Sequence, residues 1–160
     1  MLALGIDPGT TQIGIGVIKY DNSKFSCIHY GMINNKGSDK MDYFRNTTKL
    51  LCSLIEKYQP DIVGIEKLFF FNNQKTVMAV SEMRGVILSV LTNYNLNIRE
   101  FTPLEVKQSI SSYGRADKKQ MQRMVRLILD IKEPIRPDDA VDALAIAICC
   151  VNVYTPFINK

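Results

Sequence analysis

A chain of 160 residues with 46% hydrophobic and 22% charged residues has the length and balance of one soluble domain with a sizeable core, which excludes a disordered or fibrous protein. Its formal charge of +4 and pI near 8.9 permit a polyanionic partner without requiring one, because a modest Lys and Arg excess is common in proteins that never touch nucleic acid. No segment reaches the ~18 apolar residues of a membrane span, and the N-terminal MLALGIDPGTT has neither a basic leader nor a small-residue cleavage site.

In chain order, residues 2 to 6 (LALGI) form an apolar run ending at the turn signal Asp7-Pro8-Gly9, and residues 13 to 19 (IGIGVIK) alternate Gly with β-branched residues, so the two runs predict a hairpin. A third run at 25 to 33 (FSCIHYGMI) follows Asp21-Asn22-Ser23 and extends it to an antiparallel three-strand meander. From Met41 to Tyr58 the apolar residues Phe44, Leu51, Leu54, Ile55 and Tyr58 recur at helical spacing, and Pro60 marks the stop. Residues 61 to 66 (DIVGIE) predict a strand, followed by an aromatic loop at 67 to 74 and a second helix through Met78, Met83, Val86, Ile87 and Leu91. Residues 97 to 101 (NIREF) read as a fifth strand, with helical stretches at about 103 to 110, 118 to 130 and 138 to 152. The order predicts an α/β domain over 1–152, a mixed five-stranded sheet flanked by helices, with a short tail at 153–160. Cys27, Cys52, Cys149 and Cys150 each fall in an apolar segment and form no CxxC pair, which reads as reduced core thiols in a cytoplasmic protein.

Asp7 closes LALGI and Glu66 closes DIVGI. Functional groups in α/β sheets gather at the carboxyl ends of strands, so the two acids face one crevice if their strands are parallel neighbours. In PDDAVDAL, Asp139 and Asp142 are three residues apart and share one helix face, while Asp138 is expected to point elsewhere. Four converging carboxylates repel unless cations neutralise them, and such hard oxygen ligands suit Mg²⁺ or Mn²⁺. Two ions about 3.5 to 4 Å apart would activate a water, orient a phosphate and stabilise the leaving oxygen, so phosphodiester hydrolysis is the expected reaction. Ordinary structural readings stand beside this one: Asp7 as a turn residue before Pro8-Gly9, and Asp138-Asp139 as a helix N-cap after Pro137.

The motifs GIDPGTT at 5 to 11, GIEKLFF at 64 to 70 and DDAVDALAIAI at 138 to 148 resemble the RuvC family of bacterial Holliday junction resolvases. So do MAVSEMRGVIL (78 to 88), TPLEVKQSI (102 to 110) and YGRADKKQMQRMV (113 to 125), and the resemblance runs from the first residue to about 150. It implies a ribonuclease H-like fold and a homodimer that nicks opposing strands of a four-way DNA junction symmetrically, in recombination and repair. It also implies Mg²⁺ as cofactor and a branch-migration helicase complex as a further partner. The family's four acidic ligands fall on Asp7, Glu66, Asp139 and Asp142, its basic residues near the scissile phosphate on Lys107 and Lys118, and its stacking aromatic on Phe69. Some relatives carry a histidine at one of the last two acidic positions; here both are Asp, and the one histidine, His29, lies in a strand remote from the motifs, with no catalytic role expected.

Fixed cations such as Lys107 and Lys118 position a phosphate and oppose charge developing on it, although by spacing alone they read as surface lysines. Arg115, Lys119, Arg123 and Arg126 are expected to add salt-dependent contacts to the DNA backbone. An aromatic beside a nuclease site stacks on unpaired bases, which suits Phe69; Phe70 and Phe71 stay open between core and DNA. The helix carrying Met78 to Val90 corresponds to the family's dimer interface, and core packing explains its apolar residues equally well.

The hairpin GIDPGTTQIGIGV also resembles the phosphate-binding hairpin of actin-like ATPases and sugar kinases, but 160 residues leave no room for their second closing domain. A non-catalytic junction-binding module would need one of the four acids replaced. Another nuclease of the same fold would share the carboxylates, and the extent of the family resemblance argues against it.

Overall fold

The computed structural model describes all residues except 35–38, 68–73, 113 and 159–160, and within the helices it leaves the side chains of 74–76 and 155–158 undescribed. The chain opens with three antiparallel strands, Leu2–Pro8 (β1), Gln12–Asp21 (β2) and Lys24–Asn34 (β3). Asn22 (φ 48°) and Ser23 (φ 60°) link β2 to β3 in left-handed backbone, which matches the twist of a two-residue hairpin. Helix α1 (Lys40–Tyr58) starts where the Asp39 side chain accepts from the Asp42 N–H. It ends at the left-handed Gln59, and Pro60 cannot continue it. Then follow Ile62–Glu66 (β4), Gln74–Asn93 (α2), Ile98–Phe101 (β5), Pro103–Ser111 (α3), Lys118–Ile128 (α4) and Asp138–Ile158 (α5).

The sheet order is β3-β2-β1-β4-β5, with β4 parallel to β1 and β5 parallel to β4; this is the mixed five-stranded, ribonuclease H-like sheet that the resemblance implies. Both faces are covered, so the central strands are apolar on both sides rather than alternating with polar residues. Leu4, Ile6, Val63 and Ile65 join Leu51 and Ile55 of α1 and Met83, Ile87 and Leu91 of α2 in one core. Ala3, Ile18 and Ile62 face the other way, against Ile110 of α3, Val125 of α4 and Leu144, Ile148 and Val151 of α5.

Helix α5 lies on a bed of glycines. A Cβ added at Gly5 would sit 1.9 Å from the Ala143 carbonyl oxygen, and one at Gly14 2.0 Å from that of Asp139. A Cβ at Gly16 would meet the Leu144 backbone nitrogen, and one at Gly64 the side chains of Cys150 and Ile146. Only residues without side chains let the helix approach the sheet this closely.

Three sequence expectations shift. The buried stripe of α1 is Tyr43, Thr47, Leu51 and Ile55, a single i, i+4 row, which leaves Phe44, Leu54 and Tyr58 at its flank. Met78 of α2 is 68% exposed and leaves the expected apolar set. Helix α5 continues to Ile158 rather than ending near 152. All four cysteines are unpaired, with Cys149 and Cys150 fully buried. Among the described residues no helix is long and apolar enough to cross a membrane.

Candidate active site

Side chains alternate across a strand, so the residues of β1 that share a face with Ala3 and Gly5 include Asp7, and those of β4 that share it with Ile62 and Gly64 include Glu66. This is the face covered by α5. The parallel register pairs Ile6 with Ile65, which brings Asp7 and Glu66 side by side at the carboxyl ends of the two central strands. Asp7 stays in register with Gly14 inside β1, so it is not a turn residue. The glycine bed sets α5 so that the Asp139 carbonyl lies directly over Gly14, the partner of Asp7. Asp138 and Asp139 belong to the first turn of α5, and Asp142 follows on the same face, where the helix N-terminus favours negative charge.

The electrostatics record this convergence. Asp7 is pushed up to about 8, first by burial, then by the charges of Glu66, Asp142 and Asp139, and by a hydrogen bond with Glu66. Glu66 is also raised, by burial and then by Asp142, while its hydrogen bond with Asp7 opposes the shift, so the two carboxyls titrate as a pair. Burial raises Asp142 as well, against the nearby cations Lys118 and Lys107. Among the described residues, no three His, Cys, Asp or Glu side chains are already drawn into an ion-binding cage. The carboxylates are gathered within mutual repulsion but not clenched.

Glu66 and Asp142 open onto a cavity of about 410 Å³, which Lys107, Lys118 and Gln122 also line over an apolar floor that includes Val106, Met121 and Ile146. Lys107 projects, partly buried, from α3, which is started by a capping box between Thr102 and Glu105. Lys118 is the first residue of α4, set by the Asp117–Gln120 capping box. Its Nζ lies 3.7 Å from Asp138 Oδ2, so Asp138, expected to point elsewhere, lines the rim of the same cavity.

Arg115 and Lys119 are exposed beside the start of α4. The Arg126 guanidinium donates to the carbonyls of Ile131 and Lys132 and ties down the loop after α4. His29 stacks on Tyr58 with ring centroids 5.7 Å apart and is lowered by burial and by Lys57, away from the carboxylates. Phe69, Phe70 and Phe71 lie outside the described residues. Two residues carry no sequence signal of their own. Gln122 lines the cavity while donating to the Ile135 carbonyl, and Arg84 of α2 donates to the Glu66 carbonyl.

A mixed sheet in this order, with carboxylates at the ends of its two central parallel strands and on the helix laid across them, defines a ribonuclease H-like domain with an acidic site. The family model described as crossover junction endodeoxyribonuclease RuvC matches residues 3–150. The RuvC of Caldicellulosiruptor saccharolyticus is 50% identical over 152 residues, covering 93% of this chain and 91% of its own length. That of Caldanaerobacter subterraneus is 46% identical over 150 residues, with 93% and 91% covered. Among solved structures, Thermus thermophilus RuvC in complex with Holliday junction substrate superposes with a TM-score of 0.88 at 28% identity, covering 93% of this chain and 92% of that one. This chain belongs to the RuvC family of crossover junction endodeoxyribonucleases.

Proposed function

We propose that this chain resolves four-way DNA junctions by nicking two opposing strands symmetrically, as a homodimer, in recombination and repair. One observation carries the reading beyond family membership. Asp7 and Glu66 end neighbouring parallel strands on the face that α5 covers with Asp139 and Asp142; burial and then the charges of the other three acids push Asp7 up, and Lys107 and Lys118 oppose the charge of Asp142. An all-carboxylate donor set under such repulsion fits hard divalent cations. These four residues would hold them, two Mg²⁺ per site with Mn²⁺ as a substitute. Bound there, the cations supply an activated water and neutralise charge at the scissile phosphate.

The chain's own residues do the rest. Asp7 and Glu66, side by side at the strand ends, would hold a cation between them as carboxylates. Lys107 and Lys118 seat the phosphate at the cavity rim, where a fixed positive charge is needed most as negative charge develops. Phe69 stacks on a base exposed at the crossover, and Arg115 and Lys119 grip the backbone. A two-fold dimer presents two such sites to a two-fold junction in register. The chain through the end of α5 acts as one nuclease domain. A DNA substrate and four unpaired cysteines favour the cytoplasm, where a branch-migration helicase complex would be its partner.

The test is a synthetic immobile four-way junction against a linear duplex of matched sequence, in Mg²⁺ and in EDTA. Cleavage is expected on the junction alone, is lost in EDTA, and is lost in Asp7→Asn while that variant still binds. Equal cutting of the linear duplex would sink the assignment.

A further inference from the structure

Strand β4 is five residues long and ends on Glu66 itself, so the acid sits where the ladder runs out. On one side the end is pinned, because the Lys67 N–H donates to the Phe101 carbonyl at 2.8 Å. On the other side the Glu66 carbonyl accepts from Arg84 Nε at 3.3 Å. The same guanidinium places Nη2 2.8 Å from Glu100 Oε1 on β5, and the Arg84 side chain is only 15% exposed. A planar guanidinium serves two acceptors from one rigid fork, which an ammonium cannot do.

We propose that Arg84 is a positioning residue: by clamping the carboxyl ends of β4 and β5 together it fixes the Glu66 carboxylate beside Asp7 for cation binding. The proposal rests on the reading of Glu66 as a cation ligand. Groups that orient ligands from behind change cation affinity roughly 10- to 100-fold when removed. Arg84 is not among the described residues that line the cavity, and its two contacts reach the site through Glu66.

The test compares the wild type, Arg84→Lys and Glu100→Gln. It measures Mn²⁺ binding to the DNA-free protein by calorimetry, the Mg²⁺ midpoint for cleavage, junction affinity in EDTA, and the unfolding midpoint in EDTA. Arg84→Lys keeps the charge near Glu100 but loses the fork; it should weaken Mn²⁺ binding and raise the Mg²⁺ midpoint about 10-fold, with junction affinity within about twofold of wild type. Glu100→Gln should move both in the same direction by a smaller factor, about threefold. The proposal is overturned if Arg84→Lys binds Mn²⁺ as the wild type does. It is equally overturned if Arg84→Lys loses junction affinity and stability in step with Mn²⁺ binding while Glu100→Gln leaves Mn²⁺ binding unchanged. If the wild type itself binds no divalent cation, the reading of Glu66 as a ligand fails and this proposal with it; a wild type that binds normally confines any failure to Arg84.

Discussion

Asp7 holds a proton at neutral pH because burial and three neighbouring carboxylates make its anion costly. Its folded value of about 8 lies above the unfolded value near 3.8, so the folded protein binds a proton that the unfolded chain releases between the two. The stability this contributes is fully present below about pH 4 and is lost as pH rises through about 8, with a slope of at most about 1.4 kcal/mol per pH unit. In EDTA, unfolding midpoints should therefore fall from pH 5 to pH 8. Asp7→Asn should flatten that fall and be the more stable protein at pH 8, and a denaturant titration at the two pH values checks both. Lys107→Ala should lower the cleavage rate at saturating junction by roughly 100-fold, the scale of one lost electrostatic stabiliser. Lys118→Ala removes an exposed pair with Asp138 and a cation near Asp142, so its stability should stay within about 1 kcal/mol of wild type while its cleavage rate falls. The acids were legible in the sequence because a charge closing an apolar strand is conspicuous. Arg84 was not: its bond to Glu66 spans 18 positions, and nothing in the spacing of α2 separates a clamp from an ordinary half-buried arginine.

At the scale of elements, the site depends on how closely α5 can lie on the sheet. A methyl added at Gly14 would meet the Asp139 carbonyl oxygen at 2.0 Å, whereas one added at Gly31 would meet only His29 Nε2 at 3.9 Å. Gly14→Ala should therefore cost about 1–3 kcal/mol through overpacking, and at a temperature where it remains folded it should still cleave far more slowly than wild type. Gly31→Ala should be close to silent, and thermal unfolding with cleavage assays on the pair checks the contrast. The alternation IGIGVIK marked β2 as a strand, but its glycines could not be tied to α5, because the helix they admit comes from the far end of the chain. Helix α1 shows the converse limit. Its period was visible, yet Thr47 and Tyr43 are buried with unpartnered hydroxyls, and a polar residue in a packed row leaves no apolar mark to read.

For the whole molecule, the strands and the acid-bearing motifs are displayed in the sequence, but the parallel adjacency of β1 and β4 that joins Asp7 to Glu66 comes from the structure, and the number of copies that act together is not displayed at all. Sedimentation equilibrium should give twice the 18.2 kDa chain mass, and junction affinity should fall with salt, less steeply when Lys119 or Arg115 is replaced by Ala. The central claim is that paired carboxylate sites cut two opposing strands within one encounter. A supercoiled plasmid that extrudes a cruciform tests it most directly, because two matched nicks at the crossover yield linear DNA and a single nick yields only a relaxed circle. With Mg²⁺, linear product cut symmetrically at the cruciform should appear without a build-up of nicked circle, and EDTA should abolish it. Nicked circles accumulating first, or a plasmid without the cruciform cut equally fast, would contradict the account.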